Sequence, residues 1–151
     1  MKSTLRCILL LVCLAAISQA SAQTVTVDQN LEFGVMLVGA GNKTIATTSA
    51  SAAKFTVTGT NDASIAVSYT APATLGRTSG GNPTPITFTA DVAGNAADNP
   101  GAAGALTAAA QTRALSATGA YYVYVGGTLT DNPSLAAGSY TAVFTLTIVY
   151  N

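Results

Sequence analysis

The sequence predicts an all-β protein, an antiparallel β-sandwich of about seven to nine short strands. Three features carry that prediction. Apolar and polar residues alternate with a period of two, most clearly over 140–150. There Tyr140, Ala142, Phe144, Leu146, Ile148 and Tyr150 share one face, and Thr141, Thr145 and Thr147 the other. The alternating runs are rich in Val, Ile, Thr, Phe and Tyr, which suit a pleated, half-buried surface better than a helix. Clusters of Gly, Asn, Asp and Pro separate the runs, and each supplies the backbone freedom or local hydrogen bonds that reverse a chain.

In chain order, residues 24–27 alternate Thr with Val and read as a short extended arm. Residues 31–33, 35–38 and 44–48 are weaker strand candidates. Residues 55–58 and 65–69 alternate on either side of Gly59-Thr60-Asn61-Asp62, which predicts a hairpin with a longer loop. Residues 76–85, with Gly80-Gly81-Asn82-Pro83, read as a loop, and 86–92 as a strand. A second loop spans 94–105 around Asp98-Asn99-Pro100-Gly101. Residues 102–117 are rich in Ala, the best helix former, but present no stripe of large apolar side chains. They read as a loop with a helical turn that passes into a strand near Leu115. Residues 122–125 and 128–130 form further strands, and Asp131-Asn132-Pro133 turns the chain into the last one.

The start of the chain reads as an export signal rather than structure. Lys2 and Arg6 precede a nearly unbroken apolar run over 8–17, and Ala20-Ser21-Ala22 supplies a small-x-small cleavage site. The run is about half the roughly 20 residues that a membrane span needs, so no membrane span is expected in the mature chain. Removing residues 1–22 from the 151 leaves 129, an N-terminal arm over 23–30 and a sandwich domain over 31–151. Cys7 and Cys13 leave with the signal, so the mature chain has no thiol with which to form a disulfide or bind a metal. Four basic residues (Lys43, Lys54, Arg77 and Arg113) then face six acids, a net charge of −2.

That palette excludes much chemistry. The chain has no His, which removes Ser-His-Asp and Cys-His machinery and imidazole metal ligands. Without a basic surface, nucleic acid is not an expected partner. Asp28, Glu32, Asp62, Asp91, Asp98 and Asp131 are scattered singly, mostly beside turn residues, rather than paired as glycoside hydrolysis requires. Asp98-Asn99 and Asp131-Asn132 offer oxygen atoms but not the six to eight ligands that calcium takes. No catalytic residue, cofactor or metal is expected, and the protein does not read as an enzyme. Asn42-Lys43-Thr44 matches the glycosylation sequon. Tyr121, Tyr122 and Tyr124 form a candidate ligand face for a sugar, with Tyr122 and Tyr124 on one side of a strand and Tyr121 on the other.

The sheet edges give the sharper expectation. Unpaired strands recruit other strands unless charge, Pro or a bulge blocks them. Residues 143–151 carry neither charge nor Pro, and the opposite end of the chain supplies an alternating arm. Those are the parts needed for strand addition between subunits.

Leu31-Glu32-Phe33-Gly34, then 55–59 with 64–69, Tyr124-Val125-Gly126-Gly127-Thr128-Leu129, and Gly138-Ser139-Tyr140-Thr141 running to Val149-Tyr150 resemble a bacterial secreted family known only as a domain of unknown function. The same frame is similar to the spore coat protein U group and, more distantly, to chaperone–usher pilins. The resemblance implies an immunoglobulin-like sandwich exported through a Gram-negative periplasm to the cell surface and polymerised by donor-strand exchange. Carried onto this chain, it makes Thr24, Val25, Thr26 and Val27 the donor arm. Phe144, Leu146, Ile148 and Tyr150 become the border of the acceptor groove. Partners would be further copies or related subunits, with a periplasmic chaperone and usher. The expected function is a non-catalytic structural subunit of a fimbria-like fibre, appendage or coat. The alternative is a monomeric secreted binding module, for instance for carbohydrate.

Overall fold

The computed structural model describes residues 23–80 and 84–151. The expected signal over 1–22, and Gly81, Asn82 and Pro83 of one turn cluster, lie outside the described residues. In chain order the strands are β1 (Thr24–Gln29), β2 (Lys43–Ile45), β3 (Ala53–Thr58), β4 (Ser64–Thr70), β5 (Thr74–Arg77), β6 (Ile86–Asn95), β7 (Gly104–Ala105), β8 (Gln111–Ala114), β9 (Ala120–Leu129), β10 (Tyr140–Thr141) and β11 (Thr145–Tyr150). One 3₁₀ turn, Pro100–Ala102, is the sole helical element among the described residues.

The strands pair antiparallel in two sheets, as the alternation predicts. The larger runs β1-β3-β9-β6-β5-β10, with β2 continuing the line of β3 along β9 and β7 attached to β6. The smaller is β11-β4-β8. The two face each other across a core in which Val57, Ile65, Val67, Val123 and Val125 are essentially sealed from water. Period-two alternation explains the fit: Val57 and Phe55 from β3, and Leu146, Ile148 and Tyr150 from β11, point into one layer while their Thr neighbours face solvent. A second apolar cluster, Ile86, Phe88 and Leu129, includes no residue of β4, β8 or β11. It is covered instead by Leu31, Phe33, Met36, Leu135 and Tyr140. The smaller sheet therefore roofs only part of the larger one, and irregular chain roofs the rest.

Several expectations are corrected. Residues 55–58 and 65–69 do not pair as a hairpin; β3 and β4 belong to different sheets. The link bends through Asp62 at φ 56, and Gly59 donates its N–H to the Gly119 carbonyl at 2.8 Å. Alternation reports which face a residue takes, not which strand lies beside it. The run over 140–150 is not one strand either: β10 pairs with β5, residues 142–144 are unpaired, and β11 pairs with β4 in the other sheet. Residues 31–33 and 35–38 alternate without pairing, and Gly34 and Gly39 there take left-handed φ values of 64 and 81.

The expected loops hold strands. β5 occupies the start of 76–85, and the Ala-rich stretch contains β7 and β8. Helix propensity is worth only tenths of a kcal/mol per residue, and pairing with β4 and β6 overrides it. The helical turn falls at Pro100–Ala102, just before that stretch, where Asn99 Oδ1 accepts the Gly101 N–H. β9 runs unbroken through Gly126 and Gly127, so the strands expected at 122–125 and 128–130 are one. The count of eleven exceeds seven to nine because β2, β5, β7, β8 and β10 are only two to four residues long.

Candidate functional site

The edges of the two sheets differ in how they are defended. At β8, Arg113 takes an inward register position opposite the buried Ile65. At β1, a bulge falls between Val27 and Gln29, and Asp28 accepts a hydrogen bond from the Thr56 hydroxyl at 2.5 Å. At the β10 end the edge strand is only two residues long, and Arg77 of the neighbouring β5 donates to the Ala137 carbonyl at 2.5 Å. Charge and bulges of this kind discourage stray pairing. β11, six residues long, carries no charge, no Pro and no bulge.

The register shows which backbone groups that edge leaves open. Asn151 donates its N–H to the Ser64 carbonyl at 3.1 Å. In an antiparallel ladder the bonded pairs alternate, so Thr145, Thr147 and Val149 exchange bonds with β4. The N–H and C=O groups of Leu146, Ile148 and Tyr150 then point to the other side, where no strand pairs among the described residues.

The chain around β3 meets the chain around β11 at both ends. The Phe55 and Phe144 rings lie 5.9 Å apart, and the Tyr150 hydroxyl accepts the Thr60 N–H at 2.9 Å. On the far side the sheets are tied where Leu106 donates to the Val92 carbonyl and Tyr69 to that of Ala108. β1, outside β3, therefore projects past the open edge of β11. Val25 and Val27 pair with Val57 and Phe55, so they occupy the inward face. Yet they are 44% and 54% exposed, and the smaller sheet ends at β11. Thr24 and Thr26, on the outward face, pair with Thr58 and Thr56. The sequence-predicted donor arm is thus docked on its own β3, not beside the last strand.

A groove of about 1260 Å³ continues from this gap into the part of the larger sheet that β11 and β4 leave uncovered. Val27, Phe55 and Phe144 line its upper end, and Leu75, Phe88 and Leu129 lie deeper. Of the predicted groove border, Phe144 lines it, whereas Leu146, Ile148 and Tyr150 pack into the main core with their edge open. Val35, Leu37 and Val143 stand on the rim at 84%, 72% and 81% exposure. Sequence reasoning took residues 35–38 for a strand; the signal for a rim was an apolar run closed at both ends by Gly34 and Gly39. Asp131 fastens that loop by accepting the Gly39 and Gly41 N–H groups at 3.1 and 2.8 Å, which hold its carboxyl below the usual range. Its own N–H donates to Asn42 Oδ1 at 2.9 Å.

The three tyrosines do not form one exposed face. Tyr121 points into the core against Gly94 and Leu106, and burial raises its phenol pKa. Tyr124 is on the opposite face as expected, but it is buried and donates to Asp98 at 2.7 Å. Only Tyr122 keeps partial exposure, with Lys54 Nζ 5.2 Å from its ring centre. The reason is the loop after β6, which brings Asp98 over the sheet to bridge Tyr124 and Lys54 Nζ, the latter at 2.6 Å. Lys54 is raised and Asp98 lowered in pKa, each first by their shared hydrogen bond.

Among the described residues, no group of three or more His, Cys, Asp or Glu side chains comes together, and no helix is long and apolar enough to cross a membrane. No curated protein and no solved structure matches the chain. The family described as "Domain of unknown function (DUF4402)" matches residues 15–150, nearly the whole chain and all but the last residue of the sandwich; the protein belongs to that family.

Proposed function

We propose that this protein is a non-catalytic structural subunit, exported to the cell surface, that assembles into a fimbria-like fibre or coat by accepting a β-strand from a neighbouring subunit. The observation that carries the reading is the open, ungated edge of β11. A six-residue edge exposes a ladder of unmet hydrogen bonds, and proteins that stay monomeric blunt such edges. Here the other edges are blunted and this one is not. The uncovered groove beside Phe144 adds an apolar surface that would be buried on assembly.

The pilin-like and coat-like resemblance of the sequence supports the same reading. It suggests as donor the arm Thr24 to Val27 of a neighbouring copy, with a periplasmic chaperone shielding the edge in transit and an usher for export. The apolar signal over 1–22 supports secretion. A carbohydrate-binding module has less support, because only one of the three tyrosines reaches the surface.

Thr147 and Val149 point outward from β11 and are exposed, so the double substitution Thr147→Lys and Val149→Lys adds gatekeeper charge without touching the core. Sedimentation of the exported protein should show higher oligomers for the native sequence and a folded monomer for the variant. A native protein that stays monomeric at high concentration would defeat the proposal.

A further inference from the structure

The structure assigns β1 the part of a roof over a slot one strand wide, and we infer that the slot takes a single extended, uncharged strand of another polypeptide that is apolar at every second residue. This rests on the reading of β11 as an acceptor edge. It departs from the reading of residues 24–27 as the donor, because a copy whose β1 stays on β3 as a roof does not donate that arm, and the occupant is then a different segment.

Two observations carry it. β3 lies over β11, so β1 lies over the position that a strand added to β11 would take. Val25 and Val27, on the inward face of β1, are left about half exposed. An added strand would bury them and complete two opposed layers; moving β1 itself into the slot would only trade one open position for another. A single strand would add to β11 without bringing a second sheet against β1.

The chemistry of the occupant follows from the walls. Val25, Val27, Phe55 and Phe144 ask for apolar side chains on the inward face, spaced by two residues. Neither β11 nor residues 24–27 offer a charge to pair with one on the incoming strand. The length of β11 sets about six residues of pairing, roughly 20 Å.

The probe is a capped eight-residue peptide of alternating threonine and valine, added to the exported protein and followed by amide hydrogen exchange. Saturable binding should slow exchange at Leu146, Ile148 and Tyr150 by roughly tenfold or more, while β1 and β3 amides keep their protection. Val25→Asp with Val27→Asp, at exposed positions, should abolish binding and leave the circular dichroism unchanged. A control peptide with lysine in place of valine should not bind. No slowing at β11, exposure of β1 amides on binding, or undiminished binding by the Asp variant would each overturn the inference. Peptide binding as described, in a protein that never assembles, would instead refute the structural-subunit proposal and leave the slot intact.

Discussion

At the scale of single residues, the most informative group is the Tyr124 hydroxyl. Burial, and then its hydrogen bond to Asp98, raises its pKa well above that of a free tyrosine. A phenol that holds its proton longer in the folded state gives stability that is complete below the unfolded value, about 10. That stability is lost as pH rises beyond it. Tyr124→Phe should therefore cost about 1 kcal/mol at neutral pH and flatten the alkaline decline, read from urea midpoints between pH 8 and 11. Part of the decline should persist through Tyr121, whose pKa burial also raises. Asp98 works in the opposite sense. Its lowered pKa gives stability that is present above the unfolded carboxyl value and lost as pH falls through the folded one. That contribution is small, because the Lys54–Asp98 pair is solvated and screened.

At the scale of elements, β9 organises the larger sheet by pairing with β3 and β2 on one side and β6 on the other. Gly126 lets the line of β3 and β2 break there. A Cβ at Gly126 would strike the Ile45 carbonyl oxygen and lie 2.9 Å from Thr47 N, and neither backbone atom has a flexible side chain to move. Gly126→Ala should lower stability by about 2–3 kcal/mol. Gly104, with nothing near its would-be Cβ, should tolerate Ala within about 0.5 kcal/mol; paired denaturation curves check both. The alternating elements were legible because a strand's inward and outward residues announce themselves. β8 was not, because the short run Gln111-Thr112-Arg113-Ala114 carries little periodicity, and the break at 142–144 was not, because the alternation runs on through Ala142 and Phe144 whether or not those residues pair.

At the scale of the whole molecule, β1 pairs with β3 alone and is exposed at all six residues. Deleting Thr24–Gln29 should leave a folded protein with near-native circular dichroism, since it removes no buried side chain. It should abolish assembly whether the arm donates or roofs. Mixing separates the two roles by sedimentation: an arm-deleted copy should accept native strands if the arm only donates, and fail to accept them if the accepting copy needs its roof. The candidate site was half legible in advance. The ungated final strand stood out by its lack of charge, and Phe144 by its place in the alternation. The partner of the arm did not, because Val25 and Val27 alternate equally well against β3 or β11.

By itself, the sequence determined an all-β class and which residues of each long strand turn inward. Alternation is a local property written every second residue, and burial of one face enforces it. It also determined that the last run would carry no charge and no Pro to guard it. Only the tertiary structure decided that β3 and β4 part into different sheets, that the last run breaks at 142–144, and that β1 overhangs an empty strand position. Strand partners are chosen by contacts between segments far apart in the chain. Many pairings satisfy the same local pattern, and only the packing of all of them together selects one.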